Sequence, residues 1–401
     1  MPRWVWCPHR SLSRLRRPCR PAGARSLLRW RAGLRGGARL DRSRFPRPGR
    51  GDSPATRGAA ALSDTLLADY ILADRELTAA NTLGLPCHAE RFASPVAIEP
   101  LRRLLRLADD LSWPLTVLGG GSNLILPERL PGLVLRPALR YWWLEPQEGS
   151  VLVHVGAGVE WHPLVMALAG RGLWGTENLA LIPGSCGAAP IQNIGAYGVE
   201  LCEVLEAVHV MFIEDGRCAR LTVEECAFGY RDSIFKGELE GKVIVTGLTL
   251  RLTRVPHPRL GYGDLAQRVG PRPGPLEVAE AVCAIRREKL PDPAELGNAG
   301  SFFKNPIVER RQAEEMLLSW PDMPHFELAD GRVKLAAGWL IDRCGLKGWR
   351  SGHFGIHERQ ALVLVHFGGG SAEELLAFAR QVATEVEARF GVVLEREPRL
   401  A

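Results

Sequence analysis

Two glycine-rich stretches carry the residue types with which a backbone can hold a phosphate group. The first, GGGSN at 119–123, directly follows the apolar run PLTVL. Glycines beside a strand let successive backbone N–H groups point toward one spot, which suits phosphate oxygens. A tight turn between two strands is the alternative interpretation. Because no helix-like run follows, the stretch does not match a dinucleotide-binding fold that places its phosphate at a helix N-terminus.

The second stretch, IPGSCGAAPIQNIGAYG at 182–198, has small side chains, few charges and no clear period. Such residues make a poor helix or strand, but they form a wall that a large flat ligand can approach closely. A long loop without a ligand is the alternative. Together the two stretches favour a bound cofactor that contains a pyrophosphate. The chain has neither a Walker A sequence nor a GxSxG elbow, which argues against an ATPase and an α/β-hydrolase.

Ser301 in NAGSFFKNP (298–306) is a candidate for chemistry of a different kind. Two phenylalanines follow it, and we expect them to anchor the backbone in a core. From these residues alone, the serine is either part of an anchored turn or a hydroxyl held in a pocket. His353 and His357 stand four apart, as metal ligands on a helix would. The Phe-Gly-Ile between them argues against a helix, so no metal site is predicted.

Periodicity and capping signals predict the elements that must position these residues. Ser371 and Glu374 form a capping box that opens a long helix, and Gly391 follows its expected end. Pro291 is expected to stop a second helix, within 276–289. The remaining helices are expected within 101–110, 161–173, 311–320 and 335–344. Strands are expected on both sides of GGGSN and within 132–139, 151–158, 206–213, 218–223, 243–252, 361–367 and 392–400. The mixture predicts an α+β protein with a boundary near 290.

Charge is distributed very unevenly along the 401 residues. The net charge of +6 hides a segment, 1–60, with 16 arginines, no lysine and only two acids, whereas the remainder has 35 basic and 43 acidic residues. This segment has too few regularly spaced apolar residues for a core, so it is expected to be disordered. It is interpreted as an organellar presequence, a nucleic-acid-binding tail or translated upstream sequence, and we favour the last.

Cysteine usage and hydropathy indicate a cytoplasmic protein. The nine cysteines are scattered, odd in number and form no CxxC, which is typical of neither a disulfide framework nor a zinc site. There is no apolar run of 18 residues, so no transmembrane helix is predicted. The mildly acidic body gives no reason to expect binding to nucleic acid.

Several long motifs, in this order, resemble the UDP-N-acetylenolpyruvoylglucosamine reductases, flavoenzymes of peptidoglycan precursor synthesis. They are LGGGSNLIL, ENLALIPGSCGAAPIQNIGAYGVEL, FGYRDSIFK, NAGSFFKNP and KLAAGWLID. The resemblance covers roughly residues 76–400. GYGDL at 261–265 is similar to the larger subtype of that family, in which a tyrosine-bearing loop closes over the substrate.

The resemblance implies a two-subdomain FAD-binding fold of the vanillyl-alcohol-oxidase or PCMH type, followed by an α+β substrate-binding domain. The first flavin subdomain would span 76–140 and be joined by a C-terminal strand at 392–401. The second would span 141–290, and the substrate domain 291–391. The resemblance also implies non-covalent FAD, NADPH as co-substrate, and UDP-N-acetylglucosamine enolpyruvate as the substrate that becomes UDP-N-acetylmuramate. We expect a monomer.

The family's catalytic residues match Arg231, Ser301 and Glu397. The implied chemistry delivers hydride to the β-carbon of the enolpyruvyl group, so that charge develops on the α-carbon and its carboxylate. Arg231 would pair with that carboxylate through its fixed fork. Ser301 would protonate the α-carbon. Glu397, which is favoured over Glu395, would hold Arg231 or form a hydrogen bond with the enol. On a continuous strand, Glu397 would share one face with Val393, Glu395 and Arg399.

The remaining matches concern binding. Lys304 and Lys347 are expected to add positive potential at the cleft. The implied substrate-binding residues are Tyr262, Lys289, Asn305 and Gln360. The implied FAD-binding residues are Gly119, Gly120, Gly121, Ser122, Asn123, Pro183, Gly184, Ser185, Gln192, Asn193, Ile194, Gly195 and Ala196.

Three other functions are considered. An oxidase of the same broad fold would have no use for an acid at the α-carbon. A non-catalytic nucleotide-sugar sensor would keep Lys289 and Gln360 but would need neither FAD nor Ser301. A nucleic-acid-binding protein would depend on residues 1–60, so that deletion of this segment would abolish its function.

Overall fold

The computed structural model describes residues 70–401, so the interpretations of segment 1–60 lie outside the described residues. The α-helices of the described part are α1 Ile98–Asp110, α2 Trp161–Ala169, α3 Pro275–Lys289, α4 Arg310–Ser319, α5 Ala337–Arg343 and α6 Ala372–Phe390. Within residues 70–401, no helix has the length and apolar character needed to cross a membrane.

The strands of the first half are β1 Leu72–Glu76, β2 His88–Ala93, β3 Leu115–Val117, β4 Leu124–Ile125, β5 Arg129–Leu135, β6 Trp142–Gln147, β7 Ser150–Gly156, β8 Gly195–Ala196, β9 Val199–Glu200, β10 Leu205–Phe212, β11 Cys218–Thr222 and β12 Val243–Leu252. Those of the second half are β13 Gly297–Ser301, β14 Ile307–Val308, β15 His325–Glu327, β16 Val333–Leu335, β17 Arg350–Ser351, β18 Phe354–Ile356, β19 Val363–His366 and β20 Arg399–Leu400.

The first sheet has the order β1-β2-β5-β3, and β2 and β3 both pair with β5 in parallel. Helix α1 provides the crossover between β2 and β3 that parallel strands require. It forms because Leu101, Leu104, Leu105 and Ala108 recur at helical spacing, and all four are buried. The predicted helix at 101–110 is confirmed. The GGGSN stretch lies between β3 and β4, as predicted.

The second sheet is antiparallel, with the order β11-β10-β12-β7-β6. Apolar residues in these strands either alternate with polar ones or form a continuous run. The strands pack with α2 and α3 around one core that contains Trp161, Val208 and Val282. Strands β10 and β11, which were expected within 206–213 and 218–223, pair as an antiparallel hairpin. Helix α3 ends at Lys289, before Pro291, as predicted.

The C-terminal sheet has the order β13-β19-β18-β17. Helix α6 and this sheet share a separate hydrophobic core. The reciprocal capping box of Ser371 and Glu374 opens α6, and Gly391 ends it in the left-handed conformation with φ 65°. Both signals are confirmed. Strand β18 lies between His353 and His357, so the prediction that these histidines do not share a helix is also confirmed.

The C-terminal strand predicted over 392–400 is wrong in its extent and its register. Only β20 is regular, and it pairs in parallel with β4. Val393 and Glu395 are exposed, whereas Glu397 is buried, so the three do not share a face. The reason is a tertiary contact: the backbone N–H of Lys304 donates to the carbonyl oxygen of Glu395 at 2.9 Å, and that of Glu397 donates to Phe302 at 2.9 Å.

Candidate active site

A cavity of about 540 Å³ lies between the two glycine-rich stretches, the end of α3 and the C-terminal residues. Its volume falls in the range of typical ligand pockets, ~300–1,000 Å³. The structure brings Arg231, Ser301 and Glu397, which are distant in sequence, to the wall of this one cavity. The wall also contains Gly119, Gly120, Gly121, Ser122, Asn123, Pro183, Ser185, Gln192, Ile194 and Gly195. Three of the residues implied to bind FAD do not line it: Gly184, Asn193 and Ala196.

The two glycine-rich stretches pass so close that a side chain does not fit between them. A Cβ atom added to Gly120 would lie 2.6 Å from the Cα of Gly184. Ser122 links the two stretches, because its Oγ donates a hydrogen bond to the carbonyl oxygen of Pro183 at 3.0 Å. The wall is therefore made of backbone at this point, so a ligand can approach peptide groups directly.

Asn193 lies behind the wall and positions the loop that carries Arg231. It is fully buried and adopts φ 47°. Its Nδ2 donates to Glu200 Oε2 at 2.9 Å and to the carbonyl oxygen of Gly229 at 3.2 Å. The side chain thus joins the second glycine-rich stretch to the loop at 229, two residues before Arg231.

Arg231 is held in a strained backbone conformation with φ 52°. A non-glycine residue in this region costs ~1–3 kcal/mol and persists only where its surroundings determine it. Here Lys236 Nζ donates to the carbonyl oxygen of Arg231 at 2.9 Å, and Arg231 Nη2 donates to that of Gly195 at 2.8 Å. Arg231 Nε lies 3.2 Å from Glu397 Oε1. The guanidinium is therefore fixed at the cavity wall before any ligand binds.

Glu397 is the buried carboxylate of the cavity. Burial raises its pKa, and the positive charges of Arg231, Lys236 and Lys304 oppose that rise. Gln192 Nε2 also donates to Glu397 Oε1 at 3.3 Å. The carboxylate thus meets cations and an amide donor, and its main contact is with Arg231.

Ser301 ends β13 with its side chain exposed. Gly300 before it has φ 69°, and β13 has an irregular register just before Ser301. Phe302 and Phe303 after it are 0% and 3% exposed, so their predicted role as core anchors is confirmed. The carbonyl oxygen of Phe302 accepts the hydrogen bond from the N–H of Glu397. The proximity of Ser301 and Glu397 is therefore fixed by backbone.

Tyr262 and Lys289 do not line the cavity wall, and they lie on segments that contact each other. Tyr262 is 54% exposed, and its ring packs edge-to-face with that of Tyr197 at a centroid distance of 5.5 Å. Lys289 Nζ lies 4.0 Å from Asp264 Oδ1, so the end of α3 contacts the loop that carries Tyr262.

Asn305 and Gln360 also lie outside the wall. Asn305 Oδ1 accepts a hydrogen bond from the N–H of Ala337 at 3.0 Å. Gln360 Oε1 accepts one from Leu362 at 3.4 Å. Among residues 70–401, the NH₂ groups of these two amides have no hydrogen-bond partner, so both remain available as donors.

The two lysines expected to add positive potential are both paired with carboxylates. Lys304 forms a close ion pair with Glu395. Lys347 Nζ lies 3.7 Å from Asp342 Oδ2. Neither lysine lines the cavity, and the pairing partly neutralises the charge of each.

Two cationic side chains near the site, Lys236 and Arg286, were not predicted from the sequence. Lys236 belongs to the motif FGYRDSIFK, but only the structure reveals its bond to the backbone of Arg231. Arg286 lines the cavity. It follows Val278 and Val282 at intervals of four, so an arginine that interrupts the apolar stripe of α3 was the signal that could have identified it.

His353 and His357 flank strand β18, and the expectation that they bind no metal stays a prediction. Within the described range, 70–401, there is no group of three or more His, Cys, Asp or Glu side chains that could hold a metal ion. Burial lowers the pKa of His357, which favours its neutral form.

Two family models match the chain. One, described as an FAD binding domain, matches residues 89–222. The other, described as the C-terminal domain of UDP-N-acetylenolpyruvoylglucosamine reductase, matches residues 292–401. The matches together cover both glycine-rich stretches, Ser301 and Glu397.

Curated relatives and a solved structure agree with these matches. UDP-N-acetylenolpyruvoylglucosamine reductase of Chromobacterium violaceum is 48% identical over 81% of this chain and 97% of its own length. That of Pseudomonas aeruginosa is 47% identical over 80% and 96%. The crystal structure of the reductase from Thermus caldophilus is 28% identical, covers 82% of this chain and 97% of its own, and superposes with a TM-score of 0.57.

The fold is thus the two-subdomain FAD-binding fold followed by a C-terminal α+β domain. The predicted resemblance is confirmed over the described residues. The chain belongs to the UDP-N-acetylenolpyruvoylglucosamine reductase family of FAD-binding oxidoreductases.

Proposed function

We propose that the chain reduces UDP-N-acetylglucosamine enolpyruvate to UDP-N-acetylmuramate in the synthesis of peptidoglycan precursors, with bound FAD and with NADPH as the source of hydride. The names of the relatives support this substrate class. The observation that carries the proposal is the convergence of Arg231, Glu397 and Ser301 on one cavity, whose other walls are the glycine-rich stretches.

The residues present fit FAD. A pyrophosphate needs a concentration of backbone N–H donors, and the close contact of Gly120 with Gly184 brings the backbones of the two glycine-rich stretches together at the cavity wall. The small side chains of 182–198 suit a flat ring. The wall residues of 119–123 and 183–195 would hold the cofactor. When bound, FAD would take hydride from NADPH and supply it to the β-carbon of the enolpyruvyl group.

Arg231 would bind the carboxylate of the substrate. Negative charge that develops at the α-carbon spreads into this carboxylate, and a fixed cation stabilises it more as it grows. Glu397 holds the Nε edge of Arg231 and Gly195 accepts from Nη2. Among residues 70–401, Nη1 of Arg231 has no hydrogen-bond partner, and it is therefore free for the carboxylate.

Ser301 would donate the proton that the α-carbon receives. No described group within 70–401 bonds its hydroxyl, and its side chain faces the cavity. A carboxylic acid in this place would be mostly ionised at neutral pH and would repel the substrate. An uncharged alcohol avoids that repulsion, and the enolate is basic enough to take its proton. Glu397 would position Arg231 during this step.

The diphosphate and uridine of the substrate would lie on the approach to the cavity. Lys289 and the free NH₂ groups of Asn305 and Gln360 supply donors there, and exposed Tyr262 supplies a ring on a loop. That these four residues lie outside the cavity wall supports a role toward the remote part of a long substrate.

We also propose the division into flavin subdomains 76–140 and 141–290, a substrate domain 291–391, and a C-terminal segment 392–401 that joins the first subdomain. Separate sheets within these ranges and the pairing of β20 with β4 support it. The proposed state is a monomer. The proposed location is the cytoplasm, where NADPH and nucleotide sugars are made.

Stopped-flow spectroscopy of the purified full chain tests the proposed function. We expect a yellow protein whose flavin absorbance is bleached by NADPH in the absence of oxygen. UDP-N-acetylglucosamine enolpyruvate should then restore the colour and yield UDP-N-acetylmuramate. A preparation that binds flavin but recolours only with oxygen would instead indicate an oxidase and would overturn the proposal.

Gly120→Ala should abolish retention of the flavin. Its Cβ would overlap the backbone of Gly184 at 2.6 Å, so the two glycine-rich stretches would have to separate. The ratio of flavin to protein absorbance after dialysis measures this loss. Gly274→Ala is the matched control, because its Cβ meets nothing within 4 Å and its φ of −82° suits alanine. Equal flavin content in the two variants would contradict the predicted backbone wall.

A further inference from the structure

Within residues 70–401, Arg286 is a cation without an anionic partner. It lies on α3 and lines the same cavity as Leu290 and Ser301. Its Nε is buried and has no hydrogen-bond partner within residues 70–401. None of its other N–H groups forms a hydrogen bond or ion pair with the described part of the chain either.

Such an arginine is costly unless a ligand pairs with it. Arg286 is partly exposed, but its buried Nε has lost water without gaining a hydrogen-bond partner within residues 70–401, which is unfavourable. Burial lowers the pKa of Arg286, but a guanidinium remains charged at neutral pH. The fold therefore maintains a positive charge at the cavity wall at the expense of its own stability.

The nearest titratable neighbours of Arg286 do not neutralise it. Burial raises the pKa of both Tyr197 and Cys283, which keeps these two groups uncharged at neutral pH. Arg231 adds a second positive charge that acts on Arg286. Glu397 is already paired with Arg231 through Nε. Among the described residues, three arginines (Arg231, Arg286 and Arg399) thus line a cavity that has one carboxylate side chain, Glu397. Arg399 is paired with Glu240, so Arg286 alone of the three lacks an anionic partner within residues 70–401.

We propose that Arg286 is a second anion-binding residue of the cavity, and that its partner is a planar, delocalised anion present only in the loaded enzyme. This inference rests on the proposed function, which supplies two such anions. One is the N1–C2–O2 edge of the reduced flavin ring, and the other is the substrate carboxylate. A guanidinium fork matches either shape with two parallel hydrogen bonds.

The test uses the holoenzyme with Arg286→Gln, and with Arg287→Gln as the matched control. Arg287 is the next residue of α3 and carries the same charge, but it is exposed and does not line the cavity. Two quantities are measured: the midpoint potential of the flavin by dye equilibration, and the Kd of UDP-N-acetylglucosamine enolpyruvate from the flavin spectrum. UDP-N-acetylglucosamine, which lacks the carboxylate, serves as the comparison ligand.

If the reduced flavin is the partner, Arg286→Gln should make flavin reduction about 10- to 100-fold less favourable. The potential would then fall by about 30–60 mV, at about 30 mV per tenfold for two electrons. If the substrate carboxylate is the partner, the Kd of the enolpyruvyl substrate should rise about 10- to 100-fold while that of UDP-N-acetylglucosamine stays constant.

A wild-type potential together with a wild-type Kd in Arg286→Gln would overturn the inference. Should Arg286→Gln fail to retain flavin, Arg286→Lys replaces it, because the charge remains while the fork is lost. For Arg286→Lys, a flavin potential or a substrate Kd shifted in the direction predicted for Arg286→Gln would support the inference. A potential and a Kd both equal to those of Arg287→Gln would overturn it. A wild-type protein that binds flavin but not the enolpyruvyl substrate would refute the proposed function alone, since the potential still tests Arg286.

Discussion

Replacement of Ser301 by alanine should leave the reduction of the flavin by NADPH at its wild-type rate and slow its reoxidation by substrate by about 10²–10⁴-fold. General acid catalysis by a positioned side chain contributes a factor of this size. The separation of the two half-reactions follows from the proposed role, because only the second needs a proton at the α-carbon. Stopped-flow absorbance measures each half-reaction separately.

Two control measurements distinguish catalysis by Ser301 from a purely structural role. The anchors Phe302 and Phe303 are buried independently of the hydroxyl, so Ser301→Ala should retain its flavin and its substrate affinity. Ser301→Cys keeps an acidic proton at the same place and should recover part of the lost rate. Equal slowing of both half-reactions in Ser301→Ala would assign the serine a purely structural role.

Replacement of Arg231 by methionine should reduce the rate of flavin reoxidation by substrate by about 10²–10³-fold, the usual loss for one charge-stabilising donor. It should also lower the free energy of unfolding by about 3–5 kcal/mol, because Glu397 would be left buried without its partner. Arg220→Met on β11 is the matched control. That variant removes an arginine from an exposed pair with Glu206 and should cost less than about 1 kcal/mol.

The stability loss of Arg231→Met should depend on pH. Burial raises the pKa of Glu397, and Arg231 opposes the rise most among the nearby cations. A raised native pKa means that this carboxyl group favours the native state below its unfolded pKa and loses that contribution as the pH rises through the native pKa. Without Arg231 the native pKa rises further, so the loss should be larger at about pH 8 than at about pH 5.

Denaturant unfolding at the two pH values checks this sign. Adding Glu397→Gln to Arg231→Met should remove the extra pH dependence, because an amide does not titrate. An equal loss at both pH values would contradict the prediction. A pH dependence that persists in the double variant would assign the charge effect to another group, such as Glu200 beside Arg231. Burial also raises the pKa of Glu200, so the double variant is needed to separate the two.

The helices could be predicted from sequence because their signals are local. The spacing of Leu101, Leu104, Leu105 and Ala108 already contains the buried face of α1, and the capping box at Ser371 contains the start of α6. The long motifs around the glycine-rich stretches and Ser301 likewise identified the family. Each of these signals is read within a few neighbouring residues.

The missing parts depend on contacts between distant segments. The backbone of Glu397 is irregular because Phe302 and Lys304 bind its neighbourhood, and no pattern within 392–400 encodes that contact. Arg231 takes a left-handed conformation that its own type disfavours. The role of Arg286 is inferred from its buried Nε, which has no hydrogen-bond partner within residues 70–401. Periodicity describes none of these three features.

The pairing of β20 with β4 has a consequence for how the protein folds. Asn123 and Glu397, which share a hydrogen bond, are separated by 274 residues, so this contact must overcome the entropy of closing a very long loop. Contacts of such large sequence separation slow folding. The helices and hairpins can therefore form early, whereas the cradle for the cofactor is assembled only when the two distant ends meet, and uptake of flavin reports a late event on the folding pathway.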